Sequence, residues 1–197
     1  MTKNKPIYYS NYLQLDKILD AQMTESGKTT NPVHDENLFI ITHQTYELWF
    51  KQIIIELKSI TQMFSKNFVK ESNLGLVVSR CERICKIIKL LINQVDILET
   101  MSPLDFLEFR NLLNPASGFQ SAQFRIIENT MGLNRNNRIK FNKKDYDNFL
   151  SPNDQANTKS SEKEKSLLEL VEIWLERTPF IIRNDFNFWE EYKNSIH

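Results

Sequence analysis

The sequence predicts an all-α fold, a bundle of long antiparallel helices with no sheet. Three observations lead there. Apolar residues recur at helical spacing along most of the chain, whereas no segment holds the two-residue alternation of a half-buried strand. Glycine and proline are scarce, 4 and 6 among 197 residues, against 13 Phe; a sandwich or barrel needs more turns than that. The chain is 41% hydrophobic and 25% charged, the profile of a soluble globular protein. Its length suits one domain, 1–197, able to bury a substantial core.

The first helix is expected from about Asn11 to Met23, with Tyr12, Leu15, Ile18 and Leu19 forming its apolar stripe. A polar stretch from Thr24 to Asn31 closes at Pro32, which does not suit a helix interior. A second helix therefore begins near Val33 to Asp35, where Asp35 and Glu36 favour the electropositive first turn. It runs to about Phe64 with Leu38, Ile41, Leu48, Trp49, Ile53, Leu57, Ile60 and Phe64 on one broad face. Phe39, Phe50 and Ile54 widen that face so far that packing on several sides is expected. A comparable helix spans about Val69 to Met101, with Val77, Ile84, Ile88, Leu91, Val95 and Leu98 in phase. The two make a helical hairpin.

Ser102-Pro103-Leu104-Asp105 marks the next start, with Ser as cap, Pro in the first turn and an acid behind it. That helix runs to about Leu113 and exposes Phe106, Phe109 and Arg110. Asn114 to Gly118 breaks the chain, and a further helix covers about Phe119 to Met131. Asn134 to Asn142 is expected to be a basic loop and Ser151 to Ser160 a mobile surface loop. Ser161 with Glu164 reads as a capping box for a helix from Glu162 to Arg177, ended by Thr178-Pro179. One more helix is expected over Asn187 to His197.

Lys plus Arg balances Asp plus Glu at 25 each, so no global field favours nucleic acid or anionic lipid. No run approaches the ~18–20 apolar residues of a membrane span, and no signal-peptide block opens the chain. Cys81 and Cys85, four apart on a helix, lack disulfide geometry and are expected to be buried thiols of a cytoplasmic protein. Phosphate loops, Ser-His-Asp spacings, Cys-x-x-Cys and His-Glu-x-x-His are all absent.

Phe39 and His43 carry the first chemical signal. Four apart on a helix, they share a face, and a ring beside an imidazole can hold a planar ligand and hydrogen-bond its edge. Packing alone explains such a pair equally well. Arg110, beside Phe106 and Phe109, needs a carboxylate partner; Asp105, a Glu elsewhere or a ligand would each serve. Ser117-Gly118 sits at a tight break, where small residues permit close approach or simply make a turn. Tyr9 and Tyr12 suit either a subunit contact or a core stripe. His34 is expected to act locally at its helix start, and His197 to be solvated.

Longer blocks add a resemblance. Tyr9-Ser10-Asn11-Tyr12-Leu13-Gln14-Leu15-Asp16 resembles the opening motif of tryptophan 2,3-dioxygenases. His34-Asp35-Glu36-Asn37-Leu38-Phe39-Ile40-Ile41-Thr42-His43-Gln44, continuing through Tyr46-Glu47-Leu48-Trp49-Phe50-Lys51-Gln52, is similar to that family's signature almost letter for letter. Leu98-Glu99-Thr100-Met101, Phe109-Arg110, Pro115-Ala116-Ser117-Gly118-Phe119-Gln120-Ser121, Leu167 to Pro179 and Phe186 to Trp189 follow in the family's order.

The resemblance implies an all-helical haem b enzyme, an oxidoreductase that is usually a homotetramer. It opens the indole ring of L-tryptophan with O2 to N-formylkynurenine, the entry to the kynurenine pathway. By the same resemblance His43 is the distal catalytic histidine that meets the indole N–H, Phe39 packs on the indole, and Arg110 pairs with the substrate carboxylate. Ile40, Ile41 and Thr42 belong to the same substrate-lining segment. Phe106, Ser117 and Gly118 fall on the haem side, and Tyr9 and Tyr12 reach the pocket of a neighbouring subunit. Family members are about twice this length. The other half carries the proximal iron-ligating histidine and a Gly/Ser/Thr-rich closing loop, and neither is found in these residues. The expectation is that this chain alone has little or no dioxygenase activity, the alternative role being a helical module that only assembles with other subunits.

Overall fold

The computed structural model describes residues 6–138 and 145–177 and, beyond them, residues 182, 183, 186, 187, 190, 193 and 194. Expectations for Thr178-Pro179, Trp189, His197 and the end of the basic loop lie outside the described residues. The all-α class stands, and the chain divides into two compact units, Met1–Tyr46 with Ile92–Ser117 and Glu47–Leu91 with Gly118–His197.

The first unit opens with two short helices, α1 (Tyr9–Leu13) and α2 (Leu15–Leu19), instead of the single expected helix. Gln14 between them adopts a left-handed conformation with φ 53°, which no helix can continue through. Neither helix buries a residue; Tyr12, Ile18 and Leu19 of the expected stripe are exposed and Leu15 is half-buried. A 3-10 turn at Ser26–Lys28 leads to α3 (Asp35–Phe64), which starts after Pro32 and ends where the sequence predicted. At 30 residues it is ~45 Å long.

The returning helix, α4 (Glu71–Leu98), is followed by α5 (Pro103–Arg110) and a 3-10 turn, Asn111–Leu113. Ser102 opens α5 with a reciprocal capping box: its hydroxyl accepts from the Asp105 N–H, and the Asp105 carboxylate accepts from the Ser102 N–H. In this unit Gln94 of α4 reaches α3, donating to the Thr42 carbonyl (3.2 Å) and to the Thr45 hydroxyl.

In the second unit the same two helices run antiparallel, with Arg83 opposite Glu56 and Arg80 opposite Met63. Ile53, Leu57, Ile60 and Phe64 of α3 and Val77, Ile84, Ile87 and Leu91 of α4 are all buried in the core, each burial contributing roughly 1.5–3 kcal/mol. The buried stripe of α4 passes through Ile87; the expected Ile88 and Val95 are exposed. The expected packing of α3 on several sides is likewise not realised, since Ile41, Leu48 and Trp49 remain exposed. Burial alone would raise the Glu56 carboxyl, but hydrogen bonds from Arg83 (2.5 Å) and Gln52 (2.6 Å), with the Arg80 charge, hold it below its ordinary value. Cys81 is half-buried and Cys85 exposed, so the expectation of two buried thiols fails; both are free.

Helix α6 (Ala122–Met131) is capped by Ser121 and ends at Gly132. Here glycine is required twice over: φ is +108°, and an added Cβ would lie 3.0 Å from Leu168 Cβ. The expected surface loop at 151–160 is instead a helix, α7 (Pro152–Ser161), capped by Ser151 with Pro152 in its first turn. Asn129 of α6 donates to the Thr158 carbonyl (3.2 Å) and the Ser161 hydroxyl (2.8 Å). Helix α8 (Leu167–Glu176) begins at a capping box of Ser166 and Glu169, not at Ser161 and Glu164. Apolar residues begin only at Leu167, so the earlier pair has no buried face behind it. Trp174 packs edge-on against Phe64 at 5.4 Å, and Arg177 donates to the Phe64 carbonyl at the end of α3. A two-residue antiparallel pairing, β1 (Ile182–Arg183) with β2 (Phe186–Asn187), lies where no strand pattern is expected.

Candidate functional site

Within the first unit, α3 and α5 bring four rings together. Phe39 and His43 share a face of α3 and stack with ring centroids 4.1 Å apart. Phe106 and Phe109 arrive from α5, each 5.6 Å from Phe39 and 5.5 Å from one another in edge-to-face contact. Such tilted pairs suit the aromatic quadrupole. Phe109 is fully buried, contrary to its expected exposure, while Phe106 is half-buried. Phe109 is a site residue that helical spacing alone does not mark out; its three-residue offset from Phe106 is the signal it leaves in the sequence.

The His43 ring is oriented by its own helix. Its Nδ1 lies 2.7 Å from the Phe39 carbonyl oxygen. A carbonyl only accepts, so Nδ1 carries the hydrogen. In the neutral ring Nε2 is then a bare acceptor, matched to a ligand N–H. The structure thus joins an apolar nest of tilted rings to one hydrogen-bond acceptor.

Arg110 follows Phe109 and sits one turn after Phe106, on the same stripe of α5. It is half-buried. Among the described residues no carboxylate pairs with its guanidinium. Asp105, the internal candidate, is committed to the Ser102 cap. A fixed fork of donors without an acid is suited to a carboxylate from outside the chain.

Other expected site residues are placed differently. Ile40 is half-buried, Ile41 exposed and Thr42 buried. They point around α3 at successive ~100° steps, so they do not all share the Phe39–His43 face. Tyr9 and Tyr12 are 75% and 70% exposed on α1 and bring nothing to the nest of their own chain. Ser117 and Gly118 are exposed, on either side of the division between the two units. A Cβ on Gly118 would meet nothing within 4 Å, so internal packing does not account for that glycine. His34 is exposed, and no group of three or more His, Cys, Asp or Glu among the described residues is arranged to hold a metal ion. No helix among the described residues is long and apolar enough to cross a membrane.

Comparison with known proteins bears on what this arrangement serves. The tryptophan 2,3-dioxygenase family model matches residues 2–197. A tryptophan 2,3-dioxygenase of Bdellovibrio bacteriovorus is 49% identical over 195 residues, covering 99% of this chain and 54% of the relative. One from Aedes aegypti is 51% identical over 189 residues, covering 95% of this chain and 48% of the relative. The chain spans about half the length of these curated relatives. It belongs to the tryptophan 2,3-dioxygenase family.

Proposed function

We propose that the chain supplies the substrate side of the pocket in a haem-dependent dioxygenase. The reaction opens the indole ring of L-tryptophan with O2 to N-formylkynurenine, in tryptophan catabolism by the kynurenine pathway. The observation that carries this reading is the His43 ring, stacked on Phe39 with Nδ1 on the Phe39 carbonyl. Indole is flat, apolar and carries one N–H donor, which is what that nest and its bare Nε2 complement. Arg110 would grip the amino-acid carboxylate, favouring L-tryptophan over bare indole because a simple indole leaves the guanidinium unmatched. Held at both ends, the substrate presents one edge of C2–C3, and fixed orientation lowers the entropic part of the barrier. Ile40, Ile41 and Thr42 complete the lining segment, and Tyr9 and Tyr12 of a neighbouring subunit close it, in a cytoplasmic homotetramer.

Haem b would supply the oxygen chemistry. Within the first unit, Phe106 beside Phe39 and Phe109 would give an apolar wall for one side of a flat group. The net change adds both atoms of O2 across C2–C3 and breaks that bond.

The test is a titration of the haem-loaded protein with L-tryptophan, following the Soret band, and then absorbance of N-formylkynurenine after adding reductant and O2. A Soret shift by L-tryptophan that N1-methylated tryptophan fails to reproduce is the expected result, since methylation removes the donor to Nε2. An unmoved Soret band and no product would favour a catalytically silent helical module that assembles with other subunits. Exposed Tyr9, Tyr12, Leu104 and Leu107 are the observation on that side.

A further inference from the structure

We infer that Glu36 and Gln44 are positioning residues: they strap the segment 21–26 along α3 and so fix where the α1–α2 arm leaves its subunit. The inference rests on the reading that Tyr9 and Tyr12 serve the pocket of a neighbouring subunit.

At one end of the strap, the Gln44 amide uses both of its ends. Its Nε2 donates to the Ala21 carbonyl (3.2 Å), and its Oε1 accepts from Gln22 (2.7 Å). At the other end, the Glu36 carboxylate accepts from two consecutive backbone N–H groups, Glu25 (2.7 Å) and Ser26 (2.9 Å). Ser26 then accepts from the Val33 N–H at 2.9 Å, closing the loop back towards α3. Glu36 and Ser26 are 0% and 1% exposed. Burial by itself would raise the Glu36 carboxyl, yet the donors from Ser26 and Glu25 and the Lys28 charge hold it below its ordinary value. The buried group stays an anion because the strap solvates it.

Ala21 and Gln22 meet Gln44 while Glu25 and Ser26 meet Glu36, so the strap runs antiparallel to α3 across the ~12 Å that eight helical residues rise. Upstream of it, α1 and α2 bury nothing and leave Ile7, Tyr8, Tyr9, Tyr12 and Leu19 exposed. An arm with no buried residue of its own takes its starting point from its anchorage, and here the anchorage is polar and two-pointed. Gln44 also follows His43 in sequence, on another face of the same turn, so the arm's root and the acceptor imidazole share one rigid element.

The strap is then a device acting in trans: its loosening in one subunit blurs the arm delivered to the next. In the haem-loaded oligomer, Gln44→Ala and Glu36→Gln should each raise the half-saturating L-tryptophan concentration about tenfold through lost preorganisation. Gln44 is half-buried, so its variant guards against a folding defect in Glu36→Gln. Tryptic cleavage after Lys28 should accelerate in both. The decisive readout is a mixed oligomer of Gln44→Ala and His43→Ala subunits. Sound arms from the His43→Ala subunits should restore the intact pockets of the others, creating a tight-binding population that neither parent shows. Absence of that population, or unchanged cleavage or affinity in both single variants, overturns the inference. A wild-type oligomer indifferent to L-tryptophan would remove the functional reading, and this inference with it.

Discussion

Arginines neighbour aromatic residues in both units, and the contrast separates a structural guanidinium from one held ready for a ligand. In the second unit Tyr146 is surrounded by Arg125, Arg135 and Arg138, at 5.6, 5.1 and 4.5 Å from its ring. Each of these cations has an internal acid. Arg135 reaches Asp147 and Glu162, both at 3.1 Å, and Glu128 serves Arg125 and Arg138. The Tyr146 hydroxyl donates to Glu162 at 2.6 Å. In the first unit Arg110 stands beside Phe106 and Phe109 with no acid among the described residues. Similar residue types pair with acids of the chain in one place and, among the described residues, lack one in the other.

The largest expected effect breaks the aromatic side of the comparison. Phe109→Ala removes a fully buried ring and should cost about 3–5 kcal/mol, read as a lowered urea midpoint. Next is Arg110→Leu, which should weaken L-tryptophan binding about a hundredfold while moving stability by less than ~0.5 kcal/mol. A stability loss above ~2 kcal/mol would make Arg110 a structural cation after all. Arg135→Leu should show the reverse pattern, a loss of about 2 kcal/mol with L-tryptophan affinity unchanged, because Asp147 loses its main partner.

The smallest effect is in pH. Burial would raise Asp147 and Glu162, but the hydrogen bonds and charge of Arg135, joined by Lys159 at Asp147 and by Tyr146 and Arg138 at Glu162, together hold both below their ordinary values. Carboxylates depressed in the folded state contribute stability that is complete above their unfolded values, near pH 4. That contribution is lost as pH falls through the lowered folded values. Wild-type protein should therefore resist acid further down the pH scale than Arg135→Leu, whose acid midpoint should move up; coincident acid transitions would show that the network does not hold these carboxylates.

Legibility in the sequence followed the presence of an apolar stripe. Ser102-Pro103-Leu104-Asp105 and Ser151-Pro152-Asn153-Asp154 carry the same start signal, and both open helices. The second predicts only a loop, because Pro152–Ser161 has almost nothing apolar to repeat, its place being held by Asn129 donating to Thr158 and Ser161. The break at Gln14 left no mark, since a non-glycine residue in the left-handed region is set by context. In the site, the Phe39–His43 face was visible because it is local to one helix. The convergence of Phe106 and Phe109 on it, and the lack of a partner for Arg110, depend on packing between helices that spacing along one helix does not encode.

Gly132 has a consequence for how this molecule can change. An alanine there would bring its Cβ to 3.0 Å from Leu168 Cβ and 3.3 Å from Ser166 Oγ, so the start of α8 must give by a few tenths of an ångström while the backbone holds a φ that side chains disfavour. The same helix carries Trp174 against Phe64 and leads to Arg177, which donates to the Phe64 carbonyl, so one position that only glycine fits without strain lies where the end of α6 meets the helix that braces the end of α3.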